Sequence, residues 1–354
     1  MLTELLFYSY VAIISLFAIF STYLGFAQYK PGPVSARYKP KTLVIVPCKG
    51  VDLTLEDNLM SIAGQDYENC DVVAVVDNGR DAAMPYIRKA GIRCITTSAK
   101  FKRGSGKVNA VSTALSRFKD YDAYVIADSD ILVRPDWLGL LVAPLGNKRN
   151  GLSTAFPYFK PQEGFWSKVK LVWGFVGQGM MESDTLRFGW GGSLAFRKDL
   201  LDKASFDSFT RSLSDDIAIT QTVKRKGLSL FYVKDAQPVV NTKDTFATFF
   251  EWANRQTAFS IRGNRNVFGF GMLSYALQIL LLASAILLSL FYSPVALLLF
   301  VPVLLGIAKA HSRLKEPMPG FVPLYLAMPF VFLANLIIAR RMQGIEWRGR
   351  KYTF

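Results

Sequence analysis

Histidine and cysteine are nearly absent from this sequence, and their scarcity excludes several kinds of chemistry. Among 354 residues there are one histidine, His311, and three cysteines, Cys48, Cys70 and Cys94. The cysteines have no Cys-x-x-Cys spacing and are odd in number, so neither a disulfide framework nor a zinc site is predicted. Because His311 lies beyond the second long apolar run, a histidine-centred metal site or catalytic triad is also not expected.

Charged residues are also scarce, and most of them are basic. They make up 19% of the chain against 51% hydrophobic residues, with a mean hydropathy of +0.23. Disordered chains combine low hydrophobicity with high net charge, so this composition excludes disorder. The net charge of +15 is typical of a protein that meets nucleic acid, an anionic membrane surface or a phosphorylated substrate. The sequence has no recognisable nucleic-acid-binding module, so a membrane surface and a nucleotide substrate are favoured.

Long apolar runs at both ends of the sequence predict membrane attachment. Residues 1–29 are expected to form an uncleaved transmembrane anchor, because no basic residue precedes the run and no small-residue cleavage site follows it. Basic residues come after the anchor, which predicts that the next domain lies on the cytoplasmic side of the membrane. In 245–265, apolar residues at i, i+3, i+4 and i+7 predict an amphipathic interfacial helix.

The C-terminal membrane region, 266–339, leaves its topology open. Its first apolar run, 267–308, is long enough for two crossings with a break near Tyr292-Ser293-Pro294, and a last run covers 320–339. Three complete crossings would place the basic tail, 340–354, outside, against the positive-inside rule. Either the last, proline-containing run is re-entrant or monotopic, or the tail breaks the rule.

The middle of the chain, 40–244, has the pattern of a cytoplasmic α/β domain. Strand-like runs at 43–46, 72–76, 123–127 and 228–233 alternate with helix-like stretches at 55–63, 107–117 and 217–226. This alternation predicts a largely parallel sheet flanked by helices, with ligands bound beyond the carboxyl ends of the strands. Asp77 and Asp128 each close an apolar strand at that edge.

The strongest chemical signal is Asp128-Ser129-Asp130, directly after the strand-like run 123–127. Two carboxylates one residue apart, with Asp77 near them, are hard oxygen ligands suited to Mg²⁺ or Mn²⁺. Such an ion would neutralise a diphosphate and act as a Lewis acid on a nucleotide leaving group. A solvated turn is the alternative reading of an isolated Asp-x-Asp pattern.

Three further segments suit a nucleotide sugar. Lys49 opens the loop after the first strand, and Lys107 follows the glycine-containing segment 103–106, where a helix begins. That segment suits oxyanion binding but does not match the Walker A spacing. Gly191 would let a sugar approach the backbone closely, with Trp190 as a stacking face; a tight turn with a core tryptophan is the alternative.

Two more positions are candidates for catalysis and acceptor binding. Asp215-Asp216 opens a helical stretch, either as favourable negative charge at a helix start or as a general base whose pKa is raised by its neighbour. On the interfacial helix, Arg255 would stabilise a leaving diphosphate and Trp252 would face the acceptor. Membrane anchoring is the alternative for both.

In order and spacing these residues resemble the membrane-bound GT-A glycosyltransferases, family 2 in the broad sense, and most closely the ceramide glucosyltransferase branch, family 21. The segments that carry the resemblance are 47–52, 57–59, 65–67, 77, 107–109, 128–130, 196–201, 215–216 and 347–352. The resemblance implies a Rossmann-like α/β domain between transmembrane helices, a UDP-sugar donor, Mn²⁺ or Mg²⁺ as cofactor, and a membrane lipid as acceptor.

The resemblance also implies a role for each candidate residue. The donor site would contain Lys49, Asp77, Lys107, Asp128, Gly191 and Asp215, and the metal ligands would be Asp128 and Asp130. Asp216 would be the catalytic base, and Arg255 would hold the departing diphosphate. The family's last motif is Gln or Arg, two residues, then Arg-Trp. Here Trp252 and Gln256 stand at its ends, a departure that bears on the acceptor, which Trp190, Trp252 and Gln256 would meet.

The expected reaction is an inverting transfer of a hexose, glucose by resemblance, to the hydroxyl of a ceramide-like lipid or a glycerolipid. A processive polysaccharide synthase of the cellulose or hyaluronan type is the alternative enzyme. Such synthases usually keep the intact Gln-x-x-Arg-Trp motif and have more crossings. A membrane-tethered sugar- or lipid-binding protein without catalysis is the other alternative, and the joint presence of Asp77, Asp128, Asp130 and Asp216 argues against it.

Overall fold

The computed structural model describes residues 2–26, 29, 31–32, 34, 38–101, 104–264 and 266–354. The chain divides into two compact units. The sheet unit consists of Lys30–Phe246 and Gln343–Phe354, and the helical unit consists of Met1–Tyr29 and Ala247–Met342. Lys30 and Arg37, which are among the basic residues after the predicted anchor, lie outside the described residues, and so does Arg103 of the glycine-containing segment.

Strands and helices are numbered separately along the chain. The strands are β1 (Thr42–Pro47), β2 (Cys70–Val76), β3 (Arg93–Thr96), β4 (Ala123–Ala127), β5 (Ile131–Leu132), β6 (Asn150–Thr154), β7 (Tyr158–Glu163), β8 (Ser193–Arg197), β9 (Ser229–Tyr232), β10 (Val239–Lys243), β11 (Gly344–Trp347) and β12 (Arg350–Thr353). The α-helices are α1 (Leu2–Phe26), α2 (Leu55–Ala63), α3 (Met84–Lys89), α4 (Gly106–Arg117), α5 (Trp137–Val142), α6 (Phe165–Glu182), α7 (Lys203–Phe209), α8 (Asp215–Arg225), α9 (Phe246–Gly263), α10 (Asn266–Phe291), α11 (Phe300–His311) and α12 (Phe321–Arg341).

The main sheet has seven strands in the order β3-β2-β1-β4-β8-β6-β9. β1 pairs in parallel with β2 and with β4, so the carboxyl ends of these three strands meet at one edge. β8 runs antiparallel between β4 and β6. The predicted parallel-rich α/β sheet is therefore confirmed. The antiparallel strand β8, which follows a glycine-rich turn, was not among the strands expected from the sequence.

Burial on both faces explains why the central strands are continuous apolar runs. Every residue of β4 is buried, and so are Leu43–Val46 of β1. Val108 and Val111 of α4 pack with Ile219 and Val223 of α8 against one face of the sheet. This packing fixes the strand ends, and the loops that leave them start from rigid positions.

Two smaller β elements complete the sheet unit. Strands β5, β10 and β7 form a three-stranded sheet, and β11 and β12 form an antiparallel hairpin at the C-terminus. The sequence treats 340–354 as one basic tail. In the structure, Arg340 and Arg341 end α12, and the residues from Gln343 onward belong to the sheet unit.

Among the described residues of the helical unit, three helices are long and apolar enough to cross a membrane: Asn266–Phe291, Pro294–His311 and Phe321–Arg341. The expected break lies between the first two, because α10 ends at Phe291 and the next helical segment begins at Pro294. α1 covers the expected anchor, and its described side chains form an apolar helix at Glu4–Leu16. Phe7 and Val11 of this stretch pack with Leu281 and Ala285 of α10.

Candidate active site

The parallel strands bring the first predicted residues to one edge of the main sheet. Lys49 follows β1, Asp77 follows β2 and Asp128 follows β4. The Lys49 ammonium lies 3.4 Å from a carboxylate oxygen of Asp77. This edge is where open α/β sheets bind ligands.

A nearly buried lysine connects two acidic segments at this edge. The Nζ atom of Lys107 lies 2.8 Å from Asp128 Oδ1 and 3.1 Å from Asp215 Oδ2. It also donates a hydrogen bond of 3.0 Å to the carbonyl oxygen of Gly191. Burial works to lower the pKa of Lys107, but Asp128, Asp215 and Asp216 hold that pKa above its ordinary value. Lys107 is therefore a charged cation shared between the Asp-Ser-Asp turn and the start of α8, and we call these contacts the Lys107 cluster.

The start of α4 places Lys107 in this cluster. Ser105 caps the helix by accepting a hydrogen bond of 3.2 Å from the amide of Val108. Its own amide donates to the carbonyl oxygen of Ser212 at 3.1 Å. A Cβ atom on Gly104 would stand 2.6 Å from that same oxygen, so only glycine allows this approach. The predicted glycine-containing segment thus packs directly against the chain that leads into α8.

Gly191 is required by the same cluster. The turn before β8 lies beside Asp128, whose amide donates to the carbonyl oxygen of Gly192 at 3.1 Å. A Cβ atom on Gly191 would stand 2.7 Å from Asp215 Oδ2 and 2.8 Å from Lys107 Nζ. The space beside the Gly191 backbone is therefore filled by the Lys107–Asp215 ion pair. A role of Gly191 in sugar binding stays a prediction.

Trp190 is half-buried within the sheet unit. Its amide donates to Thr154 Oγ1 at 2.9 Å, and its ring centroid lies 6.1 Å from that of Phe156. Packing on Phe156 covers part of the indole surface, as the alternative of a core tryptophan requires. A role in acceptor binding stays a prediction.

The two aspartates that open α8 have different surroundings. Asp215 is 4% exposed, and burial raises its pKa to about 7 against the opposing effect of Lys107. Asp216 is only half-buried; it accepts hydrogen bonds from the amides of Ile217 at 2.7 Å and Gly191 at 3.3 Å. The hydroxyl of Ser214 also donates to Asp216. At Asp215 the main cause of the raised pKa is burial, to which the charge of the neighbouring Asp216 adds.

The Asp-Ser-Asp turn contains a buried carboxylate oxygen that lacks a partner. Among the described residues, nothing donates a hydrogen bond to Oδ1 of Asp130. Burial, with the charges of Asp128 and Asp52, raises the pKa of Asp130 to about 7. Ser129 is held by Asn58, whose amide donates to its carbonyl oxygen at 3.1 Å, and its hydroxyl donates to Asp52 at 2.6 Å. Contacts from Asn58 of α2 and from Asp52 in the loop before it therefore hold this turn in place.

The C-terminal hairpin lies at the same edge, which sequence reasoning did not foresee. Arg350 Nη2 is 2.9 Å from Asp77 Oδ2, and Arg348 forms an ion pair with Asp52. The sequence signal for these contacts is an Arg-Gly-Arg turn between aromatic residues. Segment 347–352 counted toward the family resemblance, but it carried no site role.

A comparison with known protein families identifies the family of this chain. A family model described as glycosyl transferase family 21 matches residues 8–354. The chain belongs to glycosyl transferase family 21. The resemblance seen in the sequence is thereby confirmed, and sugar transfer is the activity that this membership supports.

Solved structures of two glycosyltransferases are similar to this family 21 chain. The mannosyltransferase PcManGT from Pyrobaculum calidifontis, in complex with GDP-Man and Mn²⁺, is 16% identical, with a TM-score of 0.56 over 94% of this chain and 95% of that one. This likeness shows the fold. A glucosyl-3-phosphoglycerate synthase from Mycobacterium tuberculosis, in complex with Mn²⁺ and UDP-glucose, is 15% identical over 66% of this chain and 84% of that one, with a TM-score of 0.42.

Three predicted site residues of the glycosyltransferase lie on α9 in the helical unit. Arg255 pairs with Glu251 one turn earlier at 3.2 Å, and its side chain is 14% exposed. Trp252 and Gln256 are half-buried. One face of α9 is buried, as an amphipathic helix requires. The catalytic and acceptor roles of these three residues stay predictions.

Proposed function

We propose that this glycosyltransferase moves a hexosyl residue, with glucose as the first candidate, from a UDP-sugar to the hydroxyl of a ceramide-like lipid or a glycerolipid. The observation that carries the proposal is the Lys107 cluster. It joins the Asp-Ser-Asp turn to the acidic start of α8 at the ligand-binding edge of the sheet. Family membership supports the reaction class, and the apolar helices support an acceptor that lies in a membrane.

The donor nucleotide would lie across the ends of β1, β2 and β4. In this arrangement Asp77 contacts the nucleoside, and the cations Lys49 and Lys107 face the diphosphate. Positive charge that is already in place lowers the energy of the departing diphosphate as negative charge develops on it. The two solved structures named above contain GDP-mannose and UDP-glucose, which supports a nucleoside diphosphate sugar as donor.

The residues of the Asp-Ser-Asp turn fit a divalent cation. Asp130 has a buried oxygen without a partner among the described residues, and burial, with the charges of Asp128 and Asp52, raises its pKa. Within those residues, no group of three His, Cys, Asp or Glu side chains is arranged to hold an ion. Asp128 and Asp130 would therefore supply two ligands, and donor phosphates and water the others, as is usual for Mg²⁺. When bound, the ion supplies Lewis-acid stabilisation of the leaving diphosphate.

Asp216 is the group we assign as general base. Its carboxylate takes the proton from the acceptor hydroxyl while that oxygen bonds to the anomeric carbon and the bond to the diphosphate breaks. Attack from the face opposite the leaving group inverts the anomeric configuration. The amides of Ile217 and Gly191 orient the carboxylate, whereas Asp215 is engaged with Lys107. Arg255 is proposed to assist the departing diphosphate.

The C-terminal hairpin supports one of the two membrane topologies left open by the sequence. Because it folds with the sheet unit, the chain leaves that unit at Phe246 and returns to it at Gln343. A chain that returns to the same side of a membrane has crossed it an even number of times. We therefore propose that at most two of the three apolar helices cross completely, and that the tail and the sheet unit share the cytoplasmic side, in accord with the positive-inside rule.

Transfer by the purified full-length protein in lipid nanodiscs tests the reaction. Labelled UDP-glucose, UDP-galactose, UDP-N-acetylglucosamine and GDP-mannose are offered with Mn²⁺ or Mg²⁺ and with ceramide or diacylglycerol. We expect one labelled lipid, formed from UDP-glucose and lost with EDTA, whose glycosidic bond is β when the donor is α. A water-soluble labelled polymer would replace the proposal with a processive synthase. Saturable donor binding without transfer would replace it with a binding protein.

Labelling of introduced cysteines tests the topology. In a chain whose three native cysteines are changed to serine, Lys148→Cys reports the side of the sheet unit and Thr353→Cys that of the hairpin. We expect a membrane-impermeant maleimide to reach both positions from the same side of a sealed vesicle. Labelling from opposite sides would show three complete crossings and a hairpin that does not pack on the sheet unit.

A further inference from the structure

The C-terminal hairpin has an unusual turn. Its strands pair with Trp347 opposite Arg350, so Arg348 and Gly349 form a two-residue loop. Both have positive φ angles, 51° and 72°, which is the pattern of a type I′ turn. Glycine adopts this conformation freely, but a residue with a Cβ atom rarely does, and such strain clusters at functional sites. Here the strained residue is Arg348.

Both arginines of the turn lie against the carboxylates of the donor edge. Arg348 pairs with Asp52 and donates a hydrogen bond to the carbonyl oxygen of Lys49 at 3.1 Å. Arg350 pairs with Asp77 at 2.9 Å. The turn therefore places two guanidinium groups at the donor edge: that of Arg348 beside the loop after β1, and that of Arg350 beside the loop after β2.

The second strand of the hairpin is fixed to the start of α4. The amide of Gly106 donates to the hydroxyl of Tyr352 at 3.1 Å. A Cβ atom on Gly106 would stand 2.6 Å from Arg350 Nη1, so the guanidinium packs directly on this glycine. Arg350 thus lies between Asp77 and the first turn of the helix that carries Lys107.

The contacts of the two guanidinium groups leave part of their hydrogen-bonding capacity unused. Each guanidinium has five N–H donors in a fixed plane that matches phosphate oxygens. Arg348 and Arg350 are 40% and 42% exposed, while their partners Asp52 and Asp77 are 10% and 18% exposed. Asp77 also has Lys49 as a second cation. Asp77 therefore has two cations, and Arg350 keeps exposed N–H groups that a ligand could accept from.

We propose that the C-terminal hairpin is a wall of the donor site and that Arg348 and Arg350 bind the diphosphate of the nucleotide sugar. This inference rests on the proposed function and adds two binding residues to it. It also gives the strained turn a purpose, because the turn holds both guanidinium groups on the nucleotide side of the Asp-Ser-Asp turn. A diphosphate is the ligand of choice for two planar cations next to Lys49 and Lys107.

Nucleotide binding to the full-length protein tests this inference. Calorimetry with UDP, GDP and the nucleosides uridine and guanosine compares the original chain with Arg350→Gln and Arg348→Gln. Lys351→Gln is the matched control, because it removes one positive charge from the same hairpin at an exposed position. We expect each arginine variant to bind the diphosphate about tenfold more weakly or worse, as for a lost charge-assisted hydrogen bond. Nucleoside binding and the control should be unchanged.

Protection from trypsin gives a second measurement on the unaltered protein. Trypsin cleaves after arginine and lysine, so we expect UDP or GDP, but not the nucleoside, to slow cleavage at Arg348 and Arg350. This measurement remains valid even where a variant fails to fold.

The failures of the two proposals differ. A protein that binds no nucleotide at all would refute the proposed function. Diphosphate affinity that is unchanged in both arginine variants, without protection of the hairpin, would refute the inference alone. Tighter binding in Arg350→Gln would also overturn it, because the hairpin would then obstruct the donor site.

Discussion

The two acidic pairs of the site differ in how their charges are balanced, although each is a simple Asp-rich motif in the sequence. In the Asp-Ser-Asp turn, Asp128 contacts Lys107, whereas Asp130 has a buried oxygen without a partner among the described residues. At the start of α8, Asp215 contacts the same lysine and Asp216 accepts two backbone amides. One member of each pair contacts Lys107, and the other does not.

This difference separates the aspartates that Lys107 contacts from those that it does not. Among the described residues, Asp130 Oδ1 has no hydrogen-bond partner, which fits the metal ligand that we propose. Asp216 is half-buried and oriented by fixed amides, as expected of a residue that meets a hydroxyl. Lys107 causes the difference in both pairs. Its single ammonium forms ion pairs with Asp128 and Asp215 but not with Asp130 and Asp216.

The largest effect is expected from Asp216→Asn. An amide cannot take the proton from the acceptor, so turnover should fall by about 100- to 10,000-fold, the usual contribution of a general base. Donor affinity should stay within about twofold, since a positioned proton acceptor adds little to ground-state binding. Single-turnover transfer and calorimetry with the donor measure the two quantities.

Asp235→Asn is the control for that variant, because Asp235 is an exposed carboxylate in the turn after β9. It should leave both quantities unchanged. Full turnover by Asp216→Asn would show that Asp216 is not the general base.

An effect on stability is expected next, from Lys107→Met. Removing one partner of a buried ion pair leaves uncompensated charge, which costs roughly 3–5 kcal/mol. The matched control is Lys148→Met, which removes a fully solvated ammonium. The double variant Lys107→Met with Asp215→Asn should recover part of the loss, because it also removes a carboxylate that had lost its cation. Thermal unfolding in nanodiscs without added metal measures this. A double variant no more stable than Lys107→Met would contradict the shared-cation account.

The smallest effect is expected at another helix start, where an aspartate has a structural role only. Asp202 caps α7 by accepting from the amide of Ser205 at 2.8 Å, and it pairs with Lys226 at 2.8 Å. The Lys226 contact and the Ser205 amide hold the pKa of Asp202 below its ordinary value. A lowered folded-state pKa adds stability above the unfolded value, about 3.9, and this stability is lost as the pH falls through the folded value.

Asp202→Asn should therefore lower the melting temperature slightly at pH 7, and the difference from the original chain should shrink below about pH 4. Melting curves at several pH values measure it, with exposed Asp207→Asn of the same helix as the control. Activity should not change. A pH-independent difference would mean that shape, and not charge, accounts for the cap.

Much of the donor side of the site could be predicted, because strand ends are easy to locate. The apolar runs that become β2 and β4 end at the residues before Asp77 and Asp128, and adjacent parallel strands bring such ends together. The packing role of Gly191 was not predicted, and its role in donor binding stays a prediction. The sequence shows that a glycine is present, but only the packing shows that it makes room for Lys107 and Asp215.

The hairpin residues escaped prediction for a different reason. About 270 residues separate Arg350 from Asp77, which pair at 2.9 Å, and no local pattern encodes a contact over such a separation. In the sequence, the tail is a basic segment that counts toward the family resemblance, and its charge fits a lipid surface as well as a phosphorylated substrate.

The sequence by itself determined the class of the protein. The hydrophobic pattern predicted the long apolar helices and the α/β domain, and the Asp motifs at strand ends, in the order of family 21, predicted sugar transfer. Both are local or ordered features of a linear chain. The tertiary structure decided which charges meet: Lys107 between two acidic pairs, and Arg348 and Arg350 at the donor edge. Charge pairing depends on distances of a few ångström between residues far apart in sequence, and only packing fixes those distances.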